Sequence, residues 1–143
     1  MQSPTEIIEA YLQALLNREQ TYYAQTRTQE YRNDINDAAE KYTIIASQTL
    51  ETIAKTYLTN TAFESHGKTA LAGLVVSKPP QYKQKVMSTE LKAKTATVIC
   101  APANDGLHAN YLRYTLVNQA DEWRINLIHY SFDAIKWQKK AGL

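Results

Sequence analysis

His129 closes an alternating run in which Trp123, Ile125 and Leu127 precede it at every second position. On an extended strand these side chains share one face. An imidazole on such a face, in a dry pocket with a carboxylate in reach, is the equipment of proton abstraction. That chemistry needs a pKa tuned by burial or by a charged neighbour. The acids available as partners are Glu64, Glu90 and Asp133, and none stands at a spacing that obliges it to face His129. The competing reading is a hydrogen-bonded core histidine, and it is preferred because histidine is frequently part-buried without doing chemistry. No catalytic residue is therefore assigned.

Other chemistries find less material. His66, His108 and His129 are isolated from one another, with no His-x-His or His-x-x-x-His pair, so no metal site is expected. Cys100 is the single cysteine and can form neither an intrachain disulfide nor a thiolate zinc site. There is no Gly-x-Ser-x-Gly nucleophile turn and no glycine-rich phosphate loop, and no cofactor is expected. Lys78, Lys83, Lys85, Lys92 and Lys94 gather in one region, but only Tyr82 interleaves with them. Single-strand binding wants several stacking aromatics beside the charge. Lysine on an edge strand more commonly guards against edge-to-edge pairing, so direct nucleic-acid binding is not expected.

The stretch 19–37 carries a different kind of signal. Tyr22, Tyr23 and Tyr31 lie among Glu19, Glu30, Asp34 and Asp37. Tyrosine offers a large rigid contact with a polar tip and is enriched at interface hot spots. Neighbouring carboxylates steer a basic partner. The alternative is a solvated helix whose tyrosines lie partly against the body. Ten tyrosines against two phenylalanines favour surface-facing aromatics.

The elements that position these residues follow from periodicity. Ser3-Pro4-Thr5-Glu6 is a helix start with cap, N1 proline and capping-box acid. Ile8, Tyr11, Leu12, Leu15 and Leu16 then form one stripe, with Glu9, Gln13 and Asn17 facing away. A second helix is expected from about Asp37 to Leu58, burying Tyr42, Ile45, Ala46, Leu50, Ile53, Ala54 and Tyr57, with Asn33-Asp34 and Asn36-Asp37 as caps. Residues 19–34 read as either a helical extension or a loop. No glycine occurs before Gly67, and the pattern turns extended after it. Leu71–Val76 is a short apolar run ended by Lys78-Pro79-Pro80. Tyr82–Leu91 reads as an edge strand and Ala93–Ala101 as a second strand, with Asn104-Asp105-Gly106 as a turn. Tyr111–Asn118 places Leu112, Tyr114 and Leu116 on one face, and Trp123–His129 pairs with it, leaving Arg124, Asn126 and Ile128 outward. Phe132–Lys140 is expected as a short closing helix with Trp137 folded back.

The chain has 143 residues, enough for one domain and one core. It is 44% hydrophobic and 21% charged, which excludes disorder as the default state. No apolar run suits a membrane span, and Met1-Gln2-Ser3-Pro4 opens no secretory leader, so a cytoplasmic location is expected of an unprocessed chain. Residues 1–65 carry nine acids and five bases, a balance of −4, whereas 66–143 carry five acids and eleven bases, a balance of +6. Helices followed by an antiparallel meander make the class α+β. A single domain over 1–143 is expected, with a helical part at 3–60, a sheet part at 69–131 and the closing helix at 132–140.

The hairpin YLRYTLV (Tyr111–Val117) followed by DEWRI (Asp121–Ile125) resembles the last hairpin of nuclear-transport-factor-2-like domains. The opening PTEIIEAYLQALLNREQTYY (Pro4–Tyr23), then KTYLT (Lys55–Thr59), KPPQY (Lys78–Tyr82) and KWQKKAGL (Lys136–Leu143) occur in order. Together they resemble the immunity-protein branch of that superfamily, found in bacterial polymorphic toxin systems. The resemblance implies a cone-shaped, cystatin-like roll: N-terminal helices packed on a curved antiparallel sheet, with a cavity between them. Tyr114, Trp123, Leu127 and His129 are the expected cavity lining. It implies a non-enzymatic protein that neutralises a cognate toxin domain by stoichiometric binding, a nuclease being one candidate. Glu19, Tyr22, Tyr23, Glu30, Tyr31, Asp34 and Asp37 form the expected toxin-binding face. The alternative is a small-molecule-binding or isomerase/dehydratase-like enzyme using the same cavity. Homodimerisation through the sheet face is compatible with either.

Overall fold

The structure is a computed structural model and describes residues 1–73, 81–102 and 110–143. Lys78-Pro79-Pro80, the end of the Leu71–Val76 run, Asn104-Asp105-Gly106 and His108 lie outside the described residues.

Helix α1 spans Pro4–Thr26. Its start is the expected capping box: the Ser3 hydroxyl accepts from Glu6 N (3.2 Å), and Ser3 N donates to Glu6 Oε1 (3.0 Å). Ile8, Tyr11, Leu12 and Leu15 are buried along one stripe. The helix runs through the ambiguous stretch from residue 19 and stops at Thr26. A single turn, α2 (Gln29–Arg32), follows, capped by Thr28. The chain then reverses through Asp34, Asn36 and Asp37, each left-handed (φ 49°, 54° and 58°). Asn and Asp tolerate that region far better than other side chains do. Asp34 Oδ1 accepts from Ala39 N (3.2 Å), in the first turn of α3 (Ala38–Tyr57). Helix α3 buries Ala46, Leu50, Ile53 and Ala54. Ile45, expected in that face, is 51% exposed.

Extended structure does not begin after Gly67. The chain stays helical through α4 (Asn60–Ala62), a π-helical turn (Phe63–Gly67) and α5 (Lys68–Ala72), and Leu71 is helical. Gly67 is there for space: a Cβ would stand 2.9 Å from Phe63 Cδ2. The described sheet begins only at β1 (Gln84–Lys92), followed by β2 (Thr95–Pro102), β3 (Tyr111–Gln119) and β4 (Glu122–Ser131). A two-residue β5 (Gln138–Lys139) completes an antiparallel sheet of order β1-β2-β3-β4-β5. The β3–β4 hairpin turns on Ala120-Asp121, both left-handed (φ 51° and 63°), as a tight primed turn requires.

One irregularity in β4 shapes the hairpin. Leu116 pairs with Ile125, but Thr115 pairs with Leu127, so Asn126 is a bulged extra residue. Trp123 and Ile125 face the helices. After the bulge Ile128 takes the inward place, and Leu127 and His129 turn outward, the reverse of the simple alternation. The bulge is held from the helical side. Leu58 bridges Ile125, Thr59 N donates to Ile125 O (2.9 Å), and Thr59 Oγ1 donates to Asn126 Oδ1 (2.9 Å). Ile128 N donates to His66 Nε2 (3.2 Å) and Lys140 N to Ile128 O (2.9 Å). Arg124 Nη1 donates to the last carbonyls of α3 at Lys55 (3.1 Å) and Thr56 (3.0 Å). Helices and sheet are thereby locked along one edge of β4.

The closing segment is not a helix. Ser131 and Asp133 side chains take the backbone N–H groups of residues 133–136 that a helix would use, and the chain then adds β5 to the edge of β4. The core between helices and sheet joins Ile8, Leu15, Leu50 and Ile53 to Val98, Leu116, Ile125 and Ile128. Burying each such side chain contributes roughly 1.5–3 kcal/mol.

Ala120 lacks the local side-chain bonding that makes left-handed backbone tolerable, and it is exposed. Ala120→Asn is expected to raise the unfolding free energy by about 0.5–1 kcal/mol, read from urea denaturation at unchanged m-value. His66 supplies a pH dependence. Its Nε2 must stay unprotonated to accept from Ile128 N. Burial holds it below the ordinary value of 6.5, the carbonyls of Gly142 and Lys140 act against this, and Lys139 and Lys140 reinforce it. The unfolded chain therefore binds the proton more readily. The stability owed to this site is full above pH 6.5 and is lost as pH falls from 6.5 through the lower native value. His66→Gln, which keeps an acceptor, should flatten that slope in urea titrations across pH 5–8.

Candidate functional site

Among the described residues, no acid acts on His129. Its charged neighbours are Arg113 and Lys139, which together with burial hold its pKa below the ordinary imidazole value, burial acting most strongly. Nδ1 has no hydrogen-bond partner among the described residues. Glu64 pairs with Lys68 (2.6 Å), Glu90 with Lys92 (3.5 Å), and Asp133 binds its own turn. The strand bulge explains this placement, because it moves His129 and Leu127 off the face shared by Trp123 and Ile125. Of the expected cavity lining, only Tyr114 and Trp123 sit in the core cluster.

Tyrosines fill that core. Tyr11 meets Tyr57 and Tyr114 edge-on, with centroids 5.7 and 5.8 Å apart. Each such pair contributes about 0.5–1.5 kcal/mol beyond its buried area. The Tyr114 hydroxyl donates to Gln84 Oε1 (3.2 Å). Burial drives the hydroxyls of Tyr11 and Tyr114 well above the ordinary phenol range, so neither supplies a proton at neutral pH. Cys100 is equally inert: burial, aided by Glu9, pushes its thiol up to about 12. Among the described residues no group of three or more His, Cys, Asp or Glu could hold a metal.

Four of the five lysines stand at β1, the edge strand among the described residues. Lys83, Lys85, Lys92 and Lys94 are exposed at β1 and its hairpin. Tyr82 does not stack outward with them. Burial, with Glu19 nearby, pushes its hydroxyl up to about 12.

The 19–37 stretch divides in two. Glu19 is buried, and its carboxylate accepts from Gln81 N (2.8 Å) and Tyr82 N (3.2 Å), fixing the approach to β1. Tyr22 is also buried, against Thr43 (3.2 Å between hydroxyls) and under the Arg18 guanidinium. These two hold the body together and do not present themselves outward. The others form a ridge. Tyr23 is half-buried and receives Arg27 Nη2 on its hydroxyl (2.7 Å). Tyr31 stacks on Tyr42 (6.4 Å, 21°), whose hydroxyl donates to Glu30 Oε2 (3.0 Å). Asp34 and Asp37 flank Ile35, which the left-handed turn leaves 48% exposed. With Glu19 withdrawn, residues 27–41 carry four acids (Glu30, Asp34, Asp37, Glu40) and three bases (Arg27, Arg32, Lys41), so the negative field is slight and centred on the Asp34–Asp37 turn.

A family model described as NTF2 fold immunity protein matches residues 3–141. The chain belongs to the NTF2 fold immunity protein family. Membership carries an immunity role, with a toxin as the general class of partner, and agrees with the α+β arrangement of helices on an open antiparallel sheet. A search of curated proteins gave no match. No described helix is long and apolar enough to cross a membrane.

Tyr42 and Ile35 also stand on the ridge, a placement that helical periodicity alone does not reveal. Tyr42 was read as core because it falls on the helical stripe. Four Asn/Asp residues within 33–37 were the available signal that Ile35 stands on a reversed turn. Glu19→Ala removes the carboxylate that accepts from Gln81 N and Tyr82 N and is expected to lower stability by about 1–3 kcal/mol. Glu19→Gln should cost less, since its amide oxygen still accepts. Chemical denaturation of the two variants distinguishes this clamp from a surface role.

Proposed function

We propose that this chain neutralises one cognate toxin domain by stoichiometric binding, and that the ridge of Tyr23, Glu30, Tyr31, Asp34 and Asp37, joined by Ile35 and Tyr42, is the surface that meets it. The observation that carries this reading is the family match over residues 3–141. The ridge supports it further. Three tyrosines and an isoleucine are held by ring stacking, an Arg27 contact and a left-handed turn, so little side-chain freedom is lost on binding. The chemistry sought in the partner is an apolar or aromatic surface with a cation opposite the Asp34–Asp37 turn; a nuclease, with its basic phosphate site, is one such partner. Glu19 and Tyr22 belong to the frame beneath it. The small-molecule alternative draws less support, because Tyr11, Tyr57 and Tyr114 pack against one another in the core and, among the described residues, no carboxylate partners His129.

Binding kinetics against the toxin domain encoded beside the gene test this. Tyr23→Ala and Tyr31→Ala should each weaken affinity about tenfold or more, mostly through faster dissociation. Asp37→Asn keeps a residue that tolerates the left-handed backbone, so it should slow association and reduce its salt dependence while leaving dissociation nearly unchanged. Wild-type kinetics in all three variants would remove the ridge from the interface.

A further inference from the structure

Phe132 and Ile135 are more exposed than any other large apolar side chain described except Met1, at 75% and 78%. They do not stand on a loose connection. Asp133 Oδ1 accepts from Ser131 Oγ (2.8 Å), Ile135 N (2.9 Å) and Lys136 N (3.0 Å). The buried Ser131 hydroxyl accepts in turn from Ala134 N (2.9 Å). Ala134 is held left-handed (φ 61°), a conformation alanine adopts only at a cost of about 1 kcal/mol or more. Tyr130 supports the Phe132 ring edge-on at 6.1 Å. A link that merely carried the chain from β4 to β5 needs neither a strained alanine nor two large apolar groups in water.

The turn lies at the same end of the sheet as the ridge. Ser131 pairs with Tyr111, the first residue of β3, and Gln84 pairs with Pro102, the last of β2. Helix α1 starts beside Thr89 of β1 and reaches Gln81–Tyr82 at Glu19, so its tyrosine-bearing end projects past that same end. The charge differs, however. Asp133 is exposed but turns its Oδ1 onto its own backbone, and with Lys136 and Lys139 exposed beside it these three residues sum to +1.

We infer that the Phe132–Ile135 turn is a second, preorganised anchor on the toxin, seated in an apolar pocket bordered by carboxylates. This rests on the function proposed above and adds a contact of opposite charge to the ridge. A second copy of the chain fits less well. The cleft between α1 and α3 (about 320 Å³) is lined by Arg18, and the groove between α1 and β1 (about 650 Å³) by Lys83 and Lys85 against the single acid Glu9. A lipid surface fits less well too, because two side chains expose too little apolar area, and Trp137 is engaged beneath Arg113 (4.8 Å).

Calorimetric titration of the full chain against the toxin domain encoded beside its gene tests the anchor, with thermal melts alongside. Phe132→Ala/Ile135→Ala should lose at least about tenfold in affinity at unchanged Tm, since both groups are exposed. Asp133→Ala should also lose affinity, by unlocking the turn. Double-variant binding equal to wild type, while Tyr23→Ala still weakens it, overturns the anchor and leaves the proposed function standing. Absence of wild-type binding overturns both. A wild-type dimer in sedimentation that the double variant dissociates reassigns the turn to a second copy and overturns the inference. Wild-type binding to phosphatidylglycerol–phosphatidylcholine vesicles that the double variant loses reassigns it to a lipid surface, with the same consequence.

Discussion

The bulge at Asn126 determines which side chains of the last hairpin face the helices, and the rest of the arrangement depends on it. Thr59 holds the bulge by backbone and side chain, and His66 takes the N–H of Ile128. The consequence is a change of phase along β4. Ile128 enters the core, and His129 leaves the face on which acid–base chemistry would need it. The same contacts, with β5, cover the outer edge of β4 from Ile125 to Tyr130. At the other side of the sheet β1 is the edge strand among the described residues, carrying exposed lysines and an irregularity at Met87.

With the imidazole withdrawn, the interior becomes a matter of packing. Edge-on tyrosines occupy the space between α1, α3 and β3, and burial holds the Tyr11 and Tyr114 hydroxyls in the neutral form. A thiol and phenols so far from titration at neutral pH are poor acids and poorer nucleophiles. On the exterior, the side chains that stand out are those held in place: tyrosines on the ridge, Ile35 on a left-handed turn, and Phe132 and Ile135 on a turn bound to its own backbone. Rigid exposed apolar groups suit recognition of another protein, because the entropy of ordering them has been met in folding.

Much of this frame was legible in the residues. The Ser3 and Glu6 pair announced α1, the stripe from Ile8 to Leu15 announced its buried face, and alternation in β3 placed Leu112, Tyr114 and Leu116 inward. What escaped has a common physical character: it depends on partners distant in sequence. The phase of β4 is set by Thr59 and His66, which no local period reveals. Gly67 reads as a breaker but serves the close approach of Phe63. Glu19 and Tyr22 look like surface groups until Gln81, Tyr82 and Thr43 arrive beside them. The closing helix failed for a local reason, since Ser131 and Asp133 offer the backbone better partners than the helix would.

Membership of the NTF2 fold immunity family gives an immunity role; on the function proposed above, the chain acts by contact, one molecule on one molecule. The most direct measurement is the residual activity of the cognate toxin domain as this chain is added, for the natural sequence and for His129→Ala. Contact inhibition predicts activity falling linearly to its floor at one equivalent, with superimposable curves for the two proteins. Loss of toxin activity at a small fraction of an equivalent, abolished when the imidazole is removed, would instead mean that the chain turns over a substrate.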